Sequence, residues 1–282
     1  MDDKVRIVYK KRGQTPLDCI KEVKKASPEL GHLPITYAGR LDPLAEGVLV
    51  LLFGDECLAK DEYLKLDKEY EVTVLFGFAT DTYDILGKVT EEIKLFNENT
   101  SLGNNRFERS SDEGGGNRCQ TISNRLLPSS VSLFENILPK FTGRIRQDYP
   151  AFSSRTVKGK ALYRWARDGK LNEIEIPTHD VLVKDIEIIK NENIKGEDLL
   201  NKIESDIALV VGDFRQKEIL TLWRDILKNK EKENYKTITL RISCGSGVYV
   251  RGIAHDLGRE LGISSLAMDI IRTRVGGYTI EK

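Results

Sequence analysis

The 282-residue chain is 31% charged and 40% hydrophobic and carries 44 Lys and Arg against 44 Asp and Glu, so it reads as a globular chain with one large core or two smaller ones. A formal net charge of zero leaves any nucleic-acid binding to local charge, no apolar run approaches the ~18 residues of a membrane span, and Met1–Arg6 lacks the apolar core of a signal peptide. Cys19, Cys57, Cys119 and Cys244 lie far apart with no Cys-x-x-Cys, which argues against a zinc site and for reduced thiols in the cytoplasm.

Residues 4–10 alternate as a first strand, and Gly13 breaks it. Pro16 sits at a first helical turn after Thr15, with Leu17, Ile20 and Val23 at helical spacing. Residues 31–47 form a loop in which Gly39, Pro43 and Gly47 punctuate the chain. Pro43 fixes its own φ and moves Asp42 out of the helical region, which leaves one carboxylate on a rigid loop. The apolar run 48–53 then reads as a buried strand, and Lys68–Phe76 alternates at period two. Gly77 ends that strand, and a polar turn, Thr80-Asp81-Thr82-Tyr83-Asp84, closes at Gly87.

Residues 97–117, with Gly-Gly-Gly at 114–116, are poor in apolar residues and predict a loop or disordered insertion. Short helices are expected at 133–141 and 159–169, the second with Leu162, Trp165 and Ala166 on one side. Residues 180–190 alternate as a strand, and 195–232 have helical periodicity rich in Lys and Glu, as an added subdomain or pair of surface helices. A strand at 237–244 turns at Gly245-Ser246-Gly247, a helix follows to Leu261, and 270–280 close the chain. No βα repeat or dinucleotide fingerprint appears. The order predicts an α+β fold with a mixed, mainly antiparallel central sheet flanked by helices.

Thr36-Tyr37-Ala38-Gly39-Arg40-Leu41-Asp42-Pro43-Leu44-Ala45-Glu46-Gly47 resembles the signature loop of the TruB family of tRNA pseudouridine synthases, Gly-x-Leu-Asp-Pro-x-Ala-x-Gly. Lys68-Glu69-Tyr70, the block from Thr80 to Gly87, Pro150-Ala151-Phe152-Ser153-Ser154 with Leu162-Tyr163-x-x-Ala166-Arg167-x-Gly169, and Gly247-Val248-Tyr249-Val250-Arg251 follow in the family's order. The likeness covers roughly 1–95, 132–190 and 237–282. It implies one catalytic domain of pseudouridine synthase fold, with insertions at about 96–131 and 191–236 and without a C-terminal PUA domain.

The resemblance implies isomerisation of a uridine in tRNA, in the family uridine 55 of the T loop. Asp42 would be the catalytic residue, Arg251 its counter-ion, and Tyr70 the ring that stacks on the target base. This chemistry requires neither metal nor nucleotide cofactor. Between Lys140 and Lys170, nine Lys and Arg face only Asp148 and Asp168, a stripe suited to phosphates. Tyr37, Arg40, Phe152, Arg155, Lys158, Lys160 and Arg167 are the expected RNA-binding residues. The expected partner is the tRNA T arm, with no guide RNA and no membrane, bound by a cytoplasmic monomer. Alternatives are another RNA site, or an RNA-binding or RNA-folding protein without catalysis.

The chain also departs from the family's pattern. Tyr37 replaces a histidine, Arg40 a small residue, and Thr156 and Ser246 replace lysines. Lys11-Arg12-Gly13 lacks the proline usual near the N-terminus.

Overall fold

The computed structural model describes residues 4–96, 120–126 and 131–280. The first half contains β1 (Val5–Lys10), α1 (Pro16–Ala26), β2 (Ile35–Ala38), β3 (Glu46–Phe53), α2 (Lys60–Lys65), β4 (Lys68–Phe76), β5 (Phe78–Thr80), β6 (Val89–Phe96) and β7 (Gln120–Leu126). The second half contains α3 (Val131–Ile137), β8 (Gly143–Asp148), β9 (Thr156–Val157), β10 (Lys160–Ala161), α4 (Leu162–Arg167), β11 (Thr178–Lys195), α5 (Gly196–Ala208), α6 (Gln216–Leu227), β12 (Asn234–Cys244), α7 (Val250–Leu261), β13 (Ser265–Val275) and β14 (Tyr278–Thr279).

The central sheet runs β1–β3–β13–β4–β12–β11–β8, with β2 added to β3 and β14 to β13. Its pairs are antiparallel except β3 with β13. This is the mixed, mainly antiparallel α+β sheet that the sequence predicts. A smaller sheet joins β5, β6 and β7. Thus part of the expected 96–131 insertion, Gln120–Leu126, is a strand parallel to β6; the predicted loop at 97–117 lies outside the described residues.

From Val48 to Phe53 strand β3 is apolar because both faces are covered. Leu49, Leu51 and Phe53 pack with Cys19 and Val23 of α1. Val48, Val50 and Leu52 turn the other way, toward Val275, Tyr63 and Leu66. A capping box starts α1, with the Asp18 amide donating to Thr15 Oγ1 at 3.2 Å and the Thr15 amide to the Asp18 carboxylate at 3.0 Å. The buried stripe of α1 is Pro16, Cys19 and Val23, so the expected inward Leu17 is instead 59% exposed.

The helical expectation for 195–232 resolves into α5 and α6, an antiparallel hairpin. Its inner face (Leu199, Ile203, Ile207, Ile219, Trp223, Leu227) shares a core with Leu44, Leu75, Phe78, Ile85 and Leu86. Phe78 meets Trp223 edge-on, with ring centroids 5.2 Å apart. An ion-pair cluster docks the hairpin's polar side. Arg12 reaches Asp206 at 2.7 Å, Asp269 at 2.6 Å and Glu46 at 3.4 Å, and Lys202 reaches Asp206 and Asp269.

Candidate active site and RNA cleft

Strands β3, β13, β4 and β12 are neighbours in the sheet, and their register aligns Gly47 with Arg272, Arg272 with Tyr70, and Tyr70 with Ile242. Over this row lies a cleft of about 1070 Å³ lined by Asp42, Tyr70, Asp84, Arg251 and Arg272, among others. That volume is at the top of the range of ordinary small-molecule pockets, ~300–1,000 Å³, and the cleft is partly open to solvent.

The Asp42 loop is fixed from beneath. Leu41, Leu44 and Ala45 are buried on either side of Asp42. The Ala45 amide donates to Asp42 O at 3.1 Å and the Gly13 amide to Pro43 O at 2.9 Å. The Lys10 ammonium, fully buried, donates to Ala45 O at 2.5 Å and Pro43 O at 3.2 Å; burial pushes its pKa down to about 8 against the pull of nearby Asp42 and Glu46. Gly47 closes the loop at φ +115, where an added Cβ would lie 2.2 Å from Arg272 O. No other residue fits that approach.

Arg251 stands at the first turn of α7. Gln147, itself 3% exposed, grips Tyr249, the residue just before the helix, with both ends of its amide. Its Nε2 donates 2.9 Å to Tyr249 O, and its Oε1 accepts from the Tyr249 amide at 2.9 Å. A side chain on Gly252 would collide with this amide. The buried Arg251 guanidinium donates to Thr82 O at 2.8 Å and Phe152 O at 3.0 Å. It faces Asp42 Oδ2 at 3.2 Å through Nε, and Asp84 Oδ2 at 3.8 Å. The Nε–Asp42 contact lies outside hydrogen-bond alignment, so it is an ion pair. Burial works against the Arg251 charge, but Asp42 and Asp84 more than offset it and hold its pKa above the ordinary value.

The sequence thus brings Asp42, Arg251 and Tyr70 to one cleft. Asp84 was legible only as part of a turn motif. Burial, with nearby Asp42 adding to it, pushes its carboxyl up to about 6, although Arg251, Thr82 and the Leu86 amide oppose the shift. Burial also raises Tyr70, with Arg272 working the other way, so Tyr70 is a neutral phenol at neutral pH. Arg272, 1% exposed, donates to Val48 O at 2.8 Å and Gly39 O at 3.2 Å. Its signal was present in the sequence: at period two it shares the face of Ile270, and a charge on a buried face demands a partner.

Of the expected RNA-binding residues, Tyr37, Arg40, Phe152, Arg155 and Arg167 line the cleft, whereas Lys158 and Lys160 do not. Lys158 donates to Glu173 O at 3.2 Å. Lys160 pairs with Asp168 and lies 4.4 Å over the Trp165 ring. Arg167 pairs with Asp213. The basic stripe is therefore half-neutralised by its own neighbours, since Lys140 and Lys170 also pair, with Glu260 and Glu173. Lys60 sits 5.3 Å over the Tyr37 ring. Among the described residues no group of three or more His, Cys, Asp or Glu is placed to hold a metal ion, and no helix is long and apolar enough to cross a membrane.

An α+β sheet with an arginine-paired aspartate above its central strands defines the class, and comparison with known proteins supplies the family. The family model described as TruB family pseudouridylate synthase (N terminal domain) matches residues 29–125 and 105–209. The chain belongs to the TruB family. It is 30% identical over 280 residues to a protein of Syntrophus aciditrophicus named tRNA pseudouridine synthase B, covering 99% of this chain and 64% of that protein. A protein of the same name from Bifidobacterium longum is 28% identical over 279 residues, 97% of this chain and 63% of its own length. The chain thus spans a little under two thirds of these relatives. A solved structure described as a Cbf5-Nop10-Gar1 complex shares the fold, with a TM-score of 0.53 at 15% identity, over 99% of this chain and 50% of that one.

Proposed function

We propose that the protein is a tRNA pseudouridine synthase that isomerises uridine 55 of the T loop. The observation that carries this is the pairing of Asp42 with the buried Arg251 in a cleft that also holds Tyr70. Membership in the TruB family, and relatives named tRNA pseudouridine synthase B, support it.

The reaction breaks the N1–C1′ bond, rotates the uracil, forms a C5–C1′ bond, moves the C5 proton to solvent and returns a proton to N1. Nothing else enters or leaves. Asp42 acts on the sugar through its carboxylate, and the buried Arg251 compensates its charge. The target nucleotide must leave its stack, at a cost of a few kcal/mol. Tyr70 and Phe152 offset that cost by stacking, while Arg40 and Arg155 hold the adjoining phosphates. We assign the Tyr70 phenol, kept neutral, to a place beside C5 of the target base. We further propose one catalytic domain acting as a cytoplasmic monomer without a guide RNA.

Carbodiimide mapping of an unmodified tRNA after incubation with the protein tests the assignment. A new stop at uridine 55 is the expected result. A stop at another uridine would move the reaction to a different RNA site, and binding without any stop would leave an RNA-binding protein.

A further inference from the structure

The α5–α6 hairpin falls in the 191–236 segment that the sequence predicts to be an insertion, and Asp213, Phe214 and Arg215 of its loop line the cleft. That loop is tied together by one side chain. Gln216 Nε2 donates to Gly212 O at 2.7 Å and Val210 O at 3.1 Å, and its Oε1 accepts from the Phe214 amide at 2.9 Å. Arg215 follows in the left-handed region at φ +64, a conformation that costs a residue with a Cβ about 1 kcal/mol or more and persists where the surroundings impose it.

The result of that backbone turn is the aim of one guanidinium. Arg215 Nη1 and Nη2 donate to the two carboxylate oxygens of Asp81 at 2.5 and 3.1 Å, and its Cζ lies 4.2 Å over the Phe152 ring. Asp81 adjoins Thr82 in the turn. Thr82 and Phe152 are the two residues whose carbonyls accept from Arg251. One arginine of the hairpin thus clamps both backbone segments that position the arginine facing Asp42. The forked bond and the flat stack together fix two directions at once, which a lysine cannot do.

We propose that Arg215 is a positioning residue: the α5–α6 hairpin presents it to brace the 80–84 turn against the 150–154 segment, and so to hold Arg251 opposite Asp42. This rests on reading Asp42 and Arg251 as the reactive pair. The hairpin is then part of the active-site architecture, tied to it also through the core it shares with Leu44, Ile85 and Leu86.

The test uses the full chain with Arg215→Ala, Arg215→Lys, Asp81→Asn and the Arg215→Ala/Asp81→Asn double variant. Each is measured for pseudouridine formation at saturating tRNA, tRNA affinity, and amide hydrogen exchange. Arg215→Ala should lower the saturated rate roughly tenfold with affinity within about twofold, the mark of an interaction that acts on turnover. Arg215→Lys should recover only part of the rate, and the double variant should lose no more than the worse single one. Exchange should quicken in 80–84 and 150–154 and remain unchanged in β3 and β4. Weakened affinity at an unchanged saturated rate would make Arg215 a direct RNA contact and overturn the proposal, as would full rescue by lysine or unchanged exchange in both segments. If the wild-type protein forms no pseudouridine, the functional reading falls, while the exchange comparison still decides whether Arg215 is the brace.

Discussion

Asp42 keeps 38% of its side chain open to solvent, while its partner Arg251 is 4% exposed and tied to two backbone carbonyls. The fixed member of the pair is therefore the cation, and the carboxylate is free to meet a substrate. Arg251→Lys should lower the saturated rate by on the order of 10²-fold, because an ammonium cannot serve Thr82 O, Phe152 O and Asp42 together; single-turnover kinetics with tRNA measure it. Asp84 gives a pH signature. Its pKa of about 6 means that the second carboxylate beside Arg251 is charged only above that pH. The saturated rate should show an inflection near pH 6 that Asp84→Asn lacks.

Asp42 and Arg251 were legible because each sits in a spaced motif. Arg215 was not, since its role depends on a left-handed backbone and on two segments over sixty residues away in sequence. Lys158 and Lys160 lie off the cleft lining, since a run of charge along the chain does not tell which cations turn to the cleft and which meet the Glu173 carbonyl or the Asp168 carboxylate.

Among the elements, β3 and β4 were clear in the sequence from an unbroken apolar run and a period-two alternation. Strand β2 was not, as four residues flanked by glycines and prolines carry too little pattern to separate from the loop that follows. Of the apolar residues at helical spacing in α1, Val23 and Ile20 pack inward with Pro16 and Cys19, while Leu17 is exposed. The close crossing of β3 and β13 predicts a specific sensitivity. Gly47→Ala sets a Cβ against Arg272 O and strains φ at +115. It should cost at least about 2 kcal/mol, measured by denaturant unfolding. For the hairpin, Trp223→Ala removes a fully buried indole from against Phe78 and should cost ~3–5 kcal/mol. If the hairpin supports the site, the surviving folded protein should also lose turnover.

At the scale of the whole molecule, zero net charge is compatible with RNA binding because the charges are sorted in space. Arg40 and Arg155 face the cleft, while several basic residues of the 140–170 stripe are held in exposed ion pairs worth little each and exchangeable for phosphate. Affinity for tRNA should fall steeply with salt, and Arg155→Ala should reduce the slope of log affinity against log salt by about one. Stability carries the imprint of Asp84 as well. Its folded pKa of about 6 exceeds its ordinary 3.8, so between those values the folded state binds more protons than the unfolded one. Unfolding free energy should therefore decline as pH rises through that window, and Asp84→Asn should flatten the decline.

The most direct measurement is tritium release from tRNA labelled at C5 of uridine, with wild type and Asp42→Asn side by side and RNA binding followed in parallel. The account predicts release by wild type, none by Asp42→Asn, and tRNA affinities within a few-fold of each other. Release by Asp42→Asn at the wild-type rate would remove Asp42 from the chemistry and contradict it.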